Sequence, residues 1–140
     1  MTDITVVTDG RSLFQKALEL VKGLINVVND PSRFSTAVVF KEGEEVLEGK
    51  EFIKRAQELD SMGRREFYFY SKSENWKYLP KDDDVIVFPR AVFYTLHGRS
   101  VGALYRQGSE WYPDHDLLTL VFNRLCRVAV NPSNSNPKVP

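Results

Sequence analysis

Between Ser12 and Val28 the apolar residues Phe14, Leu18, Val21, Ile25 and Val28 recur at three- and four-residue spacing, which is the period of a helix face. The Ser12 hydroxyl is placed to cap a first-turn amide while Gln15 reaches back to the cap, and Asn29-Asp30-Pro31 stops the run because proline cannot continue the hydrogen-bond ladder. Leu13, Ala17, Leu20, Leu24 and Val27 flank the stripe. The apolar face is therefore wider than one sheet contact requires, and it predicts burial between two layers or against a second subunit.

The rhythm then shortens. Ile4 to Thr8 and Thr36 to Lys41 read as strands. Lys50 to Leu59 reads as a short amphipathic helix with Phe52, Ile53, Ala56 and Leu59 inward and Gly63 as a cap beyond it. Glu66 to Lys72, Val85 to Phe88, Ala91 to His97 and Val101 to Arg106 have strand length, with His97-Gly98-Arg99-Ser100 as a hairpin connection. Pro89 falls between two of these runs, where an edge or a bulge would tolerate its missing amide proton. Pro113-Asp114 opens a predicted last helix whose stripe is Leu118, Val121, Phe122, Leu125 and Ala129.

These elements predict an α+β fold: a mostly antiparallel sheet of four to six strands, packed by a long N-terminal helix and a C-terminal helix, with a short middle helix. The expected boundaries are one domain over residues 1–130 and a polar, proline-containing tail over 131–140. The stretch HDLLTLVFNRL, His115 to Leu125, resembles a helix of several small phage-encoded proteins, with an acidic residue before two leucines and an arginine-leucine pair at its end. The shared positions are those any amphipathic helix fills, so the resemblance implies no function.

Composition narrows the class without naming an activity. The chain has 140 residues, 42% hydrophobic and 27% charged, which suits one folded core. A single cysteine, Cys126, forms no internal disulfide and gives no reason for an oxidising compartment. The start MTDITVVTDG lacks a basic run and an apolar core, and no stretch approaches the length of a membrane span. A cytoplasmic location without membrane contact is expected. Basic and acidic residues each number 19, so net charge does not steer the chain to a polyanion.

The segment RREFYFYSKSENWKY, Arg64 to Tyr78, concentrates aromatic residues among cations. Read as a strand, it puts Phe67 and Phe69 on one face and Tyr68 and Tyr70 on the other. One face would be core and the other a working surface. Tyr68, Tyr70, Trp76 and Tyr78, with Trp111 as a second anchor and Arg64, Arg65 and Arg99 at the rim, form the candidate binding surface, because tyrosine, tryptophan and arginine dominate protein contacts. The same rings and cations could stack bases and meet phosphates.

Catalytic and metal patterns are weaker. Asp82-Asp83-Asp84 lacks the alternation of a calcium loop and reads as a turn. His97 and His115 have no zinc spacing. Cys126 has no activating partner nearby in sequence.

The leading expectation is a non-catalytic protein-binding or regulatory module, self-associating and also binding another protein, with no cofactor or metal. Single-stranded nucleic-acid binding is the first alternative. A small hydrolase or ligand-binding enzyme using His115 with Asp114 or Asp116, and perhaps His97, is the second.

Overall fold

The computed structural model describes residue 28 and residues 30–131. Its centre is a mixed five-stranded sheet of β1 (Ser35–Ala37), β3 (Val85–Thr95), β4 (Gly98–Gln107), β5 (Glu110–Leu117) and β7 (Cys126–Val130), in the order β1-β7-β3-β4-β5. β3, β4 and β5 form an antiparallel meander, whereas β7 lies between β1 and β3 and runs parallel to β3. A second, two-stranded sheet pairs β2 (Val46–Glu48) with β6 (Val121–Asn123). The helices are α1 (Gly49–Gln57) and α2 (Arg64–Ser71), with single 3-10 segments at Pro31–Arg33 and Ser73–Tyr78.

Both faces of the large sheet are covered. One packs Val85, Val87, Val101, Ala103 and Val128 against Phe52, Ile53 and Ala56 of α1 and against Leu47 and Phe122 of the small sheet. The other packs Ile86, Phe88, Leu104 and Ala129 against Phe67 and Tyr70 of α2, with Leu79 and Trp111 at the margin. A doubly covered strand reads as a continuous apolar run, and Val85 to Pro89 is buried at every position. β3 is a single bent strand. Its register shifts between Phe88 and Val92, around Pro89, as expected where a strand has lost an amide donor.

The expected architecture needs correction in three places. No long helix packs on the sheet among the described residues; the helix expected over 12–28 and the strand at 4–8 fall outside them, Val28 apart. The C-terminal helix is instead β5, β6 and β7, and the resemblance at His115 to Leu125 falls with it. The Asn123 side chain accepts the Leu125 amide at 2.9 Å in the turn between β6 and β7, and the alternation of Cys126, Val128 and Val130 faces one core. The third correction concerns Glu66 to Lys72, which is helix rather than strand. A helix start is written there, since Glu66 accepts the Gly63 amide at 2.9 Å, and Arg64 to Ser71 contains no β-branched residue.

The short helix stands close to where it was expected, with Phe52, Ile53 and Ala56 buried. So does the β3–β4 hairpin, where Gly98 takes φ +118°, a conformation open to glycine. The expected strand over 36–41 is reduced to Ser35–Ala37. No helix among the described residues is long and apolar enough to cross a membrane.

Candidate functional site

Helical spacing redistributes the aromatic run. Phe67 and Tyr70, three residues apart, face the sheet, and Tyr70 is only 1% exposed, its hydroxyl donating to the Pro31 carbonyl at 3.2 Å. Burial pushes the Tyr70 hydroxyl well above the usual tyrosine range. Tyr68 points outward and is 51% exposed. Tyr68 and Tyr70 therefore share no face, and the expected two-tyrosine platform does not form.

Tyr68 belongs instead to a cluster around Phe93 of β3. The Arg64 guanidinium carbon lies 4.5 Å from the Phe93 ring centre, and Arg64 donates to the Val92 carbonyl at 2.6 and 3.1 Å. The imidazole of His115 lies tilted against Phe93, ring centres 4.3 Å apart, and the Tyr68 ring meets Phe93 edge-on at 6.3 Å. Phe67 sits beneath, over Gly102, where an added Cβ would lie 2.9 Å from its ring. That glycine lets α2 approach the sheet closely enough to form the cluster.

From this cluster the β3–β4 hairpin continues to an end that nothing covers among the described residues. Leu96 is 100% exposed and Tyr94 is 76% exposed. Arg99 pairs with Tyr94 across the hairpin. Thr95 braces the turn, accepting the His97 amide at 3.1 Å and donating to the Gly98 carbonyl at 2.9 Å. Arg65 stands next to Arg64 on the outer side of α2, 3.5 Å from the Glu66 carboxylate. Neither Tyr94 nor Leu96 was singled out in the sequence. Their signal was two large apolar residues immediately before a hairpin glycine, where polar residues are usual.

Trp76, Tyr78 and Trp111 lie at the opposite end of β4. Trp76 and Tyr78 belong to the 3-10 segment Ser73–Tyr78 and are half-buried, with the Trp76 indole donating to the Ser71 carbonyl at 3.2 Å. Trp111, on β5, is buried. The eight predicted residues thus divide: Arg64 and Tyr68 gather round Phe93 on the α2 face, Arg99 lies on the opposite face beside α1, Arg65 stands by Gly63 and Arg90, Trp76, Tyr78 and Trp111 lie at the far end, and Tyr70 is in the core.

Strand alternation separates the groups proposed for catalysis. His115 pairs with Gly102 and faces Phe67 and Phe93, whereas Asp114 and Asp116 pair with Ala103 and Val101 and face the other side. Asp116 accepts a hydrogen bond from the Tyr105 hydroxyl. Burial holds its carboxyl above the usual range despite that bond. His97 sits in the hairpin turn, away from His115. Burial pushes the Cys126 thiol up to about 11, the opposite of an activated nucleophile. The triple aspartate is a structural staple: Asp83 accepts from Thr36 at 3.1 Å and Asp84 pairs with Arg106 at 2.7 Å. Among the described residues no group of three histidines, cysteines or carboxylates converges as metal ligands would.

Comparisons with protein-family models, curated proteins and solved structures found no match to this chain.

Proposed function

We propose that the protein is a non-catalytic protein-binding module that works through the β3–β4 hairpin end, and that its partner offers an apolar pocket edged by carboxylates. The observation carrying this reading is the projecting pair Tyr94 and Leu96, with Arg99 paired to Tyr94 on one face of the hairpin and the Arg64–Phe93–Tyr68 cluster on the other. A tyrosine ring with two side-chain torsions on a braced turn loses little conformational freedom on docking, Leu96 adds apolar area, and arginine at the edge selects an acidic surround.

The same charge disfavours a symmetric contact between two copies. A twofold interface over this end would bring its arginines toward the arginines of the second copy, and like charges brought together cost several kcal/mol. The self-association expected from the segment 12–28 lies outside the described residues and carries no weight in this reading.

Affinity capture from a nuclease-treated native lysate tests the function class. A protein retained at low salt and released at high salt supports it. Retention that vanishes with nuclease treatment sinks it in favour of nucleic-acid binding, whose salt dependence would look similar but whose ligand would be gone.

A further inference from the structure

The far end of β4 carries a second, independent site. The 3-10 segment Ser73–Tyr78 and the β4–β5 turn enclose an open cleft of about 350 Å³, lined by Trp76, Lys77, Lys81, Arg106, Ser109 and Trp111, within the size of small-ligand sites. Trp111 is 4% exposed as a residue, and its indole N–H has no acceptor among the described residues and stays open to solvent.

The charge in the cleft is of one sign. Lys77 and Lys81 are exposed and have no carboxylate partner among the described residues; Lys77 lies 5.3 Å from the Tyr78 ring centre. Arg106 contributes structure rather than free charge. It donates to the Asp83 carbonyl at 2.9 Å, to Asp84 at 2.7 Å and to the Gly108 carbonyl at 3.3 Å, tying the loop before β3 to the β4–β5 turn. What remains is a pair of ammonium groups without a carboxylate partner among the described residues, one of them over the Tyr78 ring, beside two indoles.

We infer that this cleft binds a nucleotide: a flat ring against the half-buried Trp76 indole, its phosphate between Lys77 and Lys81. An indole face stacks on any base, the ammonium groups supply point charges for phosphate, and the Trp111 N–H offers a hydrogen bond to a ring or phosphate acceptor. The same chemistry is presented by a free mononucleotide and by one residue of a single strand, and neither source is favoured by the cleft's shape.

The chain has two tryptophans and both line this cleft, so intrinsic fluorescence reports on it selectively. Titration of the full chain with adenosine monophosphate is expected to give saturable quenching, weaker with inorganic phosphate alone. The double variant Lys77→Ala, Lys81→Ala, altered only at exposed positions, should bind roughly tenfold more weakly because both charge-assisted contacts are gone. Trp111→Phe keeps a ring and removes the donor, and should also weaken binding. A short single-stranded oligonucleotide in the second arm distinguishes the sources: tighter binding than the mononucleotide assigns the site to a strand, equal or looser binding to the free nucleotide. Absence of saturable quenching, or the same affinity in the lysine double variant with an unchanged melting temperature, overturns the inference.

Discussion

At the scale of single residues, three positions make the energetics testable. Gly102 lies under the Phe67 ring, and a methyl group there would stand 2.9 Å from ring atoms in a packed interior. Gly102→Ala is expected to cost about 1–3 kcal/mol, the usual range for overpacking, read as a lowered denaturation midpoint. An unchanged midpoint would mean that α2 shifts freely, contrary to the close packing described. Cys126 is buried and its thiol is raised to about 11. A thiol reagent at pH 8 should leave the folded protein unlabelled and label it once unfolded; rapid labelling of the native chain would contradict that burial.

Glu44 gives the pH dependence. Both its oxygens contact Arg55, at 2.6 and 2.9 Å, and the Lys41 amide donates to it at 2.7 Å. The Arg55 bonds, followed by the Lys41 amide, hold its carboxyl down to about 2. Because the folded value lies below the unfolded one near 4.5, this stabilisation is complete above about pH 4.5 and is lost as pH falls toward 2. Glu44→Gln should therefore lower the melting temperature at pH 7 and change it far less at pH 2. Equal losses at both would remove Glu44 from the acid response.

At the scale of elements, legibility followed how local each element's cause was. The helix Gly49–Gln57 and the β3–β4 hairpin were readable because their apolar spacing and their glycine act within a few residues. Arg64 to Ser71 misled because an alternating Phe-Tyr-Phe-Tyr run satisfies a strand pattern. Only the Glu66 capping bond and the lack of β-branched residues distinguished it, and the covering of a sheet face decided it. Leu118 to Ala129 misled in the opposite direction. Its spacing suits a helix, yet β7 is placed by pairing with β1 and β3, contacts far away in sequence. The site suffered accordingly. Arg64, Arg65, Tyr68 and Arg99 were named for an aromatic strand that does not exist; Arg64 and Tyr68 come together on Phe93 because α2 packs beside the hairpin, whereas Arg99 lies on the opposite face and Arg65 by Arg90. Tyr94 and Leu96 were missed because exposure is a tertiary property.

The hairpin also yields a prediction of its own. Replacing Tyr94 and Leu96 by serine removes no described core contact, so stability should move by no more than about 0.5 kcal/mol, the range for surface positions. A larger loss would mean that the pair serves folding rather than binding.

At the scale of the whole molecule, β4 joins the two proposed binding surfaces: a projecting hairpin with Arg99 at its edge near Gly98 and a tryptophan-lined cleft beyond Gln107. The sheet between them is buried on both faces, which keeps the two ends at a fixed separation. Binding at one end therefore need not require loss of structure at the other.

The central claim is that the hairpin end captures a protein partner. Its most direct test is quantitative affinity capture from nuclease-treated native lysate, with the wild-type chain and the Tyr94→Ser, Leu96→Ser variant as parallel baits of equal stability. The account predicts a protein held by the wild-type bait and reduced about 30-fold or more on the variant, as loss of two anchor side chains implies. Equal recovery on both baits, or no protein recovered on either, would contradict it.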